Sequence, residues 1–501
     1  MKKRIFALLL VFAIVGAMFV APVHAEETAQ TSSVTPVTDT CGCGCGQKIQ
    51  DITWKPWAAK PGSGHYYLSG DYVMGEFNVI SGEKTVLDLR GYTITTEGST
   101  RLFSVNGYLG VLDTVGGGRM SAKGQYHEVG GVVSVSDWET TGSKFELFSG
   151  TITLAKDHTT PSSGGLVYAT GGGSFVMHGG VLLEGVSYKN GGCVAISGAD
   201  ASAQILGGQI LGGEASSAGG NVAAVTGAQL TMKNVTVLGG VSKDKGGNIY
   251  ISSSTADIDN CIIGNGVANH TTTSTKYGGG NICTYSSATL SLSNSEIYGG
   301  YALLNGGNIC FGNGTHTLKN NKIWGGNCEN LGANIYSTLP GATSTLDGDT
   351  IDGDVYYGNS PLTLKNKVKI GMNATGLVLK QTSKTVKISG LTAGAEIYVS
   401  GDTSKISGDL TYLKPALDAK LSISGSTVTV KPDDTTWKPY GTAGATHVYL
   451  TGDMTGFAEV TVSSALCIDL RGFDITATGR AFTVAESGKL TIIDSVGGNS
   501  H

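Results

Sequence analysis

The chain is expected to fold as an all-β solenoid, and three observations lead there. A phrase of two glycines, an asparagine and a β-branched residue recurs as Gly219-Gly220-Asn221-Val222, Gly246-Gly247-Asn248-Ile249, Gly279-Gly280-Asn281-Ile282 and Gly306-Gly307-Asn308-Ile309, with looser copies at Gly130, Gly164, Gly191 and Gly332. From Gly164 the copies step by 27, 28, 27, 33, 27 and 26 residues, a period that marks a stacked repeat whose units contact only their neighbours. The 77 glycines keep no three-residue period, which excludes collagen, and Val, Ile, Thr, Ser and Tyr fall in short alternating runs. That is the pattern of strands joined by tight turns.

Met1-Lys2-Lys3-Arg4, the apolar run 5–20 and Val23-His24-Ala25 read as a secretory signal peptide, residues 1–25, cut before Glu26. The protein is therefore expected to be secreted or held at the cell surface. Without the three basic residues of that leader, 31 basic side chains face 39 acidic ones, a formal charge of about −8. Such a balance does not favour nucleic acid or an anionic membrane. No later apolar run reaches the roughly 20 residues of a membrane span. Residues 26–50 are rich in Thr, Ser, Val and Pro and read as a disordered leader. Its Cys41-Gly42-Cys43-Gly44-Cys45 spacing suits neither a zinc knuckle nor a short-range disulfide, which favours intermolecular cross-linking or an inert tag over metal binding.

Order is expected from about residue 51, with 51–120 as a cap and first coils. Its marks are Thr53-Trp54-Lys55-Pro56-Trp57, His65-Tyr66-Tyr67-Leu68 and Leu87-Asp88-Leu89-Arg90-Gly91. Thr436-Trp437-Lys438-Pro439-Tyr440, His447-Val448-Tyr449-Leu450 and Ile468-Asp469-Leu470-Arg471-Gly472 repeat them at offsets of 383, 382 and 381. Residues 432–501 thus read as the start of a second unit, and either the natural protein is expected to continue or that unit has been cut short. Between the copies, 121–360 carry the Gly-Gly-Asn repeats, and 361–431 keep strand alternation without them, as terminal coils. A second phrase alternates with the first: Met232-Lys233-Asn234, Ile258-Asp259-Asn260, Leu292-Ser293-Asn294 and Leu318-Lys319-Asn320, with Gly179 and Gly207 in the asparagine slot of earlier copies. Glycine and asparagine tolerate left-handed backbone, so a bend is expected there in every coil.

The coil resembles those of right-handed parallel β-helices of the pectate-lyase-like superfamily, through Leu87-Asp88-Leu89-Arg90-Gly91-Tyr92-Thr93-Ile94. The paired phrases are also similar to the GGA[ILV] and FxxN repeats of polymorphic membrane protein adhesins, although asparagine replaces their alanine and Leu or Met their phenylalanine. The resemblance implies a right-handed parallel β-helix, in which the repeat spacing sets about 27 residues per coil and the copy at 432–501 adds a partial second unit. Coils would stack about 4.8 Å apart. Ile249, Ile282, Ile309 and Ile335 then form an inward ladder, and Asn221, Asn248, Asn281, Asn308 and Asn334 a second one of linked amides.

Enzymes of that superfamily that cleave uronic-acid polymers use an arginine or lysine base beside calcium or paired aspartates. Here residues 121–430 contain no arginine, and Arg90 and Arg471 hold matching repeat positions, as structural residues do. No catalytic residue is assigned. Asp347, Asp349, Asp352 and Asp354 alternate in turns and offer oxygen ligands for calcium, a carboxylate pair for glycoside hydrolysis, or turn-forming side chains alone. Apart from possible calcium, no cofactor is implied. Tyr298 and Trp324 share a slot in adjacent coils and are expected to point out and stack, as are Tyr250 and Tyr336 in a column with Cys283 and Cys310. Rows of exposed aromatics make platforms for sugar rings, or simply cover strand surface. The two cysteines, one coil apart, are within reach of a disulfide and equally suited to free thiols. The inserts 157–163 and 269–276 break the repeat, and the Asn-x-Thr triplets at Asn234, Asn269, Asn313 and Asn373 occupy structural slots. The expected function is non-catalytic adhesion or binding to an extracellular glycan or a host or cell-surface component. The alternatives are a polysaccharide lyase or glycoside hydrolase, and a structural stalk.

Overall fold

The computed structural model describes residues 47–57, 62–124, 128–137, 142–269, 278–358, 360–371, 377–379, 386–400, 406–408, 410–415, 419–425, 427–432 and 437–493. The expected signal peptide, all but 47–50 of the leader, the insert 269–276 beyond Asn269, and Asn373 lie outside those residues. The chain divides into two compact units, Met1–Ile52 and Thr53–His501. The first contains a 3-10 turn at Ile49–Asp51, and the second contains the strands.

One coil shows the plan. After Gly219-Gly220-Asn221 the chain makes strands Val222–Val225, Gln229–Lys233 and Thr236–Leu238. Each pairs in parallel with its counterpart one coil on, so that Val222 meets Ile249, Gln229 meets Thr255 and Thr236 meets Ile262. Stacking these units builds a parallel β-helix with three ladders, named first, second and third in that order. Among the described residues the second ladder holds fifteen strands, from Lys55–Pro56 to Ile406–Gly408. A short fourth ladder, absent from the sequence expectation, runs from Val186–Ser187 to Asn327–Cys328. Where the Gly-Gly-Asn phrase is lost, the ladders continue to Leu413–Pro415, and an antiparallel hairpin of Ala419–Ser424 with Thr427–Pro432 follows.

The core is made of stacked aliphatics. Ile249, Ile282, Ile309 and Ile335 are in register and fully buried in the first ladder, as expected. Val237, Ile263, Ile297, Ile323 and Ile351 do the same in the third. Because side chains alternate along a strand, a slip of one residue would turn either column out to water.

The two glycines of the phrase are needed for different reasons. Gly279 has φ +72°, a left-handed conformation that a Cβ disfavours. Gly280 has no such angle, but a Cβ there would sit 2.2 Å from the Gly307 carbonyl oxygen of the next coil. The first glycine makes the bend, and the second lets the coils close up. At the other bend Asn234, Asn260, Asn294 and Asn320 have φ of 56°, 51°, 50° and 56°. In the glycine copies the left-handed residue is one later than expected, Gly180 (φ 87°) and Gly208 (φ 91°) rather than Gly179 and Gly207. A glycine pair leaves either member free to turn, and the preceding glycines sit tight against the carbonyls of Phe148 and His178.

At the start of the helix Trp57 lies edge-on to Tyr66, Phe77 and Phe103, with centroids 5.7, 5.6 and 6.2 Å away. Nearby, buried Asp88 accepts hydrogen bonds from the Arg90 and Thr114 N–H groups and the Thr114 hydroxyl, while the Arg90 guanidinium lies 3.8 Å from the Tyr67 ring centre. The C-terminal copy repeats this corner. Asp469 accepts from the Arg471 N–H, and Arg471 lies 3.7 Å over Tyr449. Both arginines have φ 50°. Their role is to brace a bend.

Candidate functional site

The asparagine ladder is a continuous chain of amides. Asn221, Asn248, Asn281 and Asn308 each donate from Nδ2 to Oδ1 of the next member at 2.7 Å, ending on Asn334. Each Oδ1 also accepts a glycine N–H of its own coil, from Gly213, Gly240, Gly266, Gly300 and Gly326. The remaining N–H of each amide donates to a main-chain carbonyl, such as that of Tyr298 at 2.8 Å from Asn281. All five are buried and their capacity is used internally, so the ladder locks coils together. Cys193 holds this slot one coil earlier, its thiol donating to Asn221 Oδ1 at 3.5 Å, and burial pushes that thiol up to about 12.

Tyr298 and Trp324 meet in register on the outer side of the third ladder. Their rings stack with centroids 5.0 Å apart and planes 17° from parallel, and both are half-buried. This arrangement differs from an open platform. Rings stacked between neighbouring coils have their planes across the helix axis and turn edges outward. One face of Tyr298 covers Gly264, where a Cβ would lie 2.6 Å from the ring. Trp324 carries the Lys322 ammonium 4.3 Å from its ring centre, and Lys322 in turn lies 3.5 Å from Glu296.

Tyr250 and Tyr336 require a correction. The column Tyr250, Cys283, Cys310, Tyr336 and Tyr356 is in register as expected. Yet Tyr250 is 9 % and Tyr336 2 % exposed, because the column forms a second, smaller core with Ala218 and Ala223, against which Tyr285 and Leu331 pack. These rings are not available to a ligand. Cys283 and Cys310 are free and buried, and burial drives the Cys283 thiol well up.

The aspartates do not converge either. Asp349 is fully buried; its Oδ1 accepts the Asn321 N–H and amide at 2.8 Å each, and its Oδ2 accepts the Asp347 N–H at 2.9 Å. Burial pushes its carboxyl up to about 7 against those hydrogen bonds. Asp347 accepts from Asn366, Asp352 lies in register with Trp324, and the Asp354 carbonyl accepts the Asn334 N–H. Among the described residues no three His, Cys, Asp or Glu side chains are grouped to hold a metal ion. Asp349 is spent on Asn321 and the Asp347 N–H, and Asp347 on Asn366, so neither the calcium reading nor a facing carboxylate pair is carried forward.

One ionisable cluster was not anticipated. Glu146, on the outer side of the second ladder, is only 4 % exposed. Its Oε2 accepts the Tyr108 hydroxyl at 2.5 Å, its Oε1 lies 2.6 Å from Lys144 Nζ, and His178 Nε2 is 3.6 Å from Oε1. Burial pushes the Glu146 carboxyl up, and the contacts with His178, Lys144 and Tyr108 outweigh it, bringing it down to about 2. The His178 ring stacks on Phe148 at 4.9 Å with planes 5° apart. Lys144 and Glu146 alternate along the strand Lys144–Leu147 and share a face, and Phe148 follows directly after it in the same alternation. That much was legible, but Tyr108 and His178 join them only through pairing between coils.

Neither a protein-family model, nor a curated protein, nor a solved structure matches the chain.

Proposed function

We propose that the chain is an exported, non-catalytic β-helix protein of the cell surface, whose outer side holds an extracellular glycan or a host or cell-surface component. The half-exposed Tyr298–Trp324 stack carries this reading: among the described residues it is the stacked aromatic pair with both rings reaching solvent. The cover on Trp324 is removable. Lys322 is 60 % exposed, its exposed ion pair with Glu296 contributes roughly 0–1 kcal/mol, and an exposed cation–π contact about 0.5–1 kcal/mol. A pyranose that displaces the ammonium gains the indole face for its C–H groups. The likeness of the coils to pectate-lyase-like β-helices and to adhesin repeats agrees with such a role.

The test is a glycan array followed by calorimetry on the binders. Trp324→Ala should weaken binding about tenfold or more, whereas Lys322→Ala, which uncovers the indole, should leave it equal or tighter. An array without binders, or a Trp324→Ala protein that binds like the parent, overturns the reading. Export is checked by the mass of the protein recovered outside the cell, which should begin at Glu26. A structural stalk is the second reading, favoured by the repeated Asp-Arg-Tyr corner at Asp88 and Asp469.

A further inference from the structure

We propose that the outer side of the second ladder carries an ice-binding face, a level array of hydroxyl and methyl groups that holds crystalline water. The array has two columns. Thr255, Thr289, Thr315 and Thr343 are in register on successive strands. Two residues further along the strands, Ser291, Thr317, Thr345 and Thr363 form the second column, with Asp257 in register at its near end. Thr255, Thr289, Thr315, Thr317 and Thr343 are exposed, and the other three hydroxyl residues are half-buried.

The array is regular because the strands beneath it are. Pairing runs from Thr255 to Thr363 without a shift of register. Neighbours within a column are therefore about 4.8 Å apart, and the two columns, two residues apart on a strand, about 6.7 Å. On the inner side Leu292, Leu318, Leu346 and Leu364 stack in register and fully buried, one side chain repeated, which keeps the face level.

Strand propensity accounts for threonine on a sheet, but valine, isoleucine and tyrosine serve it equally, and neither column contains one. What the columns share is a hydroxyl, which both donates and accepts. Among the described residues none of these hydroxyls is taken up by a hydrogen bond within the protein. A sugar would want an aromatic ring for its C–H groups, and an ion a charge; apart from Asp257 at one corner, the columns offer neither. A ligand read by identical weak contacts must itself repeat in two dimensions at the same spacings. The oxygens on a prism face of hexagonal ice do so at nearly these two spacings, and each water there donates and accepts as a hydroxyl does. One such hydrogen bond contributes little net free energy. Threonine, however, is stiff at χ1 and is mounted here on a rigid sheet, so the contacts add with little cost of ordering. The face is bounded on one side, where the next column carries Lys319, Asp347 and Lys365.

The experiment grows ice slowly from a solution of the exported protein and compares its concentration in the ice with that of a non-binding protein of similar size, which the advancing crystal rejects. The parent should be enriched in the ice and should keep a polycrystalline film fine-grained on annealing. Thr317→Lys and Thr343→Lys, both at exposed positions, should be rejected like the control while their thermal unfolding matches the parent's. Lys365→Ala, beyond the array, should enter ice as the parent does. Rejection of the parent, or lysine variants that enter ice undiminished, overturns the proposal. So does retention on microcrystalline cellulose or chitin with none in ice. Trp324→Ala should leave the partition into ice intact, so this face and the glycan patch on the third ladder stand or fall separately.

Discussion

Asn281→Ala removes the middle rung of the amide ladder. The wild-type side chain accepts from Gly266 N–H at 2.9 Å and Asn248 Nδ2 at 2.7 Å, and donates to the Tyr298 carbonyl and Asn308 Oδ1. The two acceptors keep other partners, since Tyr298 also accepts from Asn265 N–H and Asn308 Oδ1 from Gly300 N–H. The two donors are left bare in a dry interior. At about 1–3 kcal/mol for each buried unsatisfied group, the loss is about 2–6 kcal/mol. Asn221→Ala should cost about half as much, because at that end of the ladder Gly213 N–H is the one strong donor stranded. A solenoid opens coil by coil, so the assay is hydrogen exchange resolved by peptide rather than a single melting curve. Exchange in Ile249–Ser252, Ile282–Tyr285 and Ile309–Phe311 should quicken by about thirtyfold or more at 1.36 kcal/mol per decade, while Val167–Thr170 stays protected. An effect below about 1 kcal/mol, or equal effects at Asn221 and Asn281, would refute the view that the ladder satisfies otherwise stranded donors.

Three further outcomes are expected. Gly280→Ala, with its Cβ 2.2 Å from a backbone carbonyl, should sharply lower soluble yield and unfolding temperature, whereas Gly98→Ala, with no atom within 4 Å, should change neither. Tyr336→Ala should destabilise the fold by about 3–5 kcal/mol, as large core truncations do, with glycan affinity unaltered in the folded fraction. The third concerns pH. His316 is buried, stacked 4.3 Å from Phe311, and burial pushes it from 6.5 down to about 4; its contribution to stability is complete above 6.5 and lost as pH falls toward 4. Asp349 is pushed from 3.8 up to about 7, so its contribution is complete below 3.8 and lost as pH rises toward 7. Each slope is about 1.4 kcal/mol per pH unit, and the two oppose each other between roughly pH 4 and 6.5. Urea unfolding across that window should show His316→Leu losing stability with rising pH relative to the parent and Asp349→Asn gaining it. Parallel profiles for all three proteins would contradict the assignment.

Much of the architecture was legible because a solenoid writes its geometry into its period. The recurrence of Gly219, Gly246, Gly279 and Gly306 set the coil, and the β-branched residues three residues later set the inward column. The asparagines announced their own ladder, since a polar residue repeated at a buried slot can satisfy itself only by bonding along the stack. The matching corners at Arg90 and Arg471 were legible for the same reason.

The outer surface was not legible, and its residues show why. Tyr250 and Tyr298 each follow an inward isoleucine and look equivalent in one dimension, yet one is buried in a second core and the other half-exposed. Alternation dictates which side of a strand a side chain leaves from, but not what then covers it. Tyr250 and Tyr336 are covered because they share one buried cluster with Ala218 and Ala223, against which Tyr285 and Leu331 pack. Glu146 gains two of its partners the same way, Tyr108 and His178 lying 38 and 32 residues distant in sequence and side by side only once the coils stack. The sequence alone determined the coil, its bends and its inward ladders, because those repeat with the period. Only the tertiary structure decided which outward side chains are covered, paired or open, because that depends on irregular contacts between coils, which no period encodes.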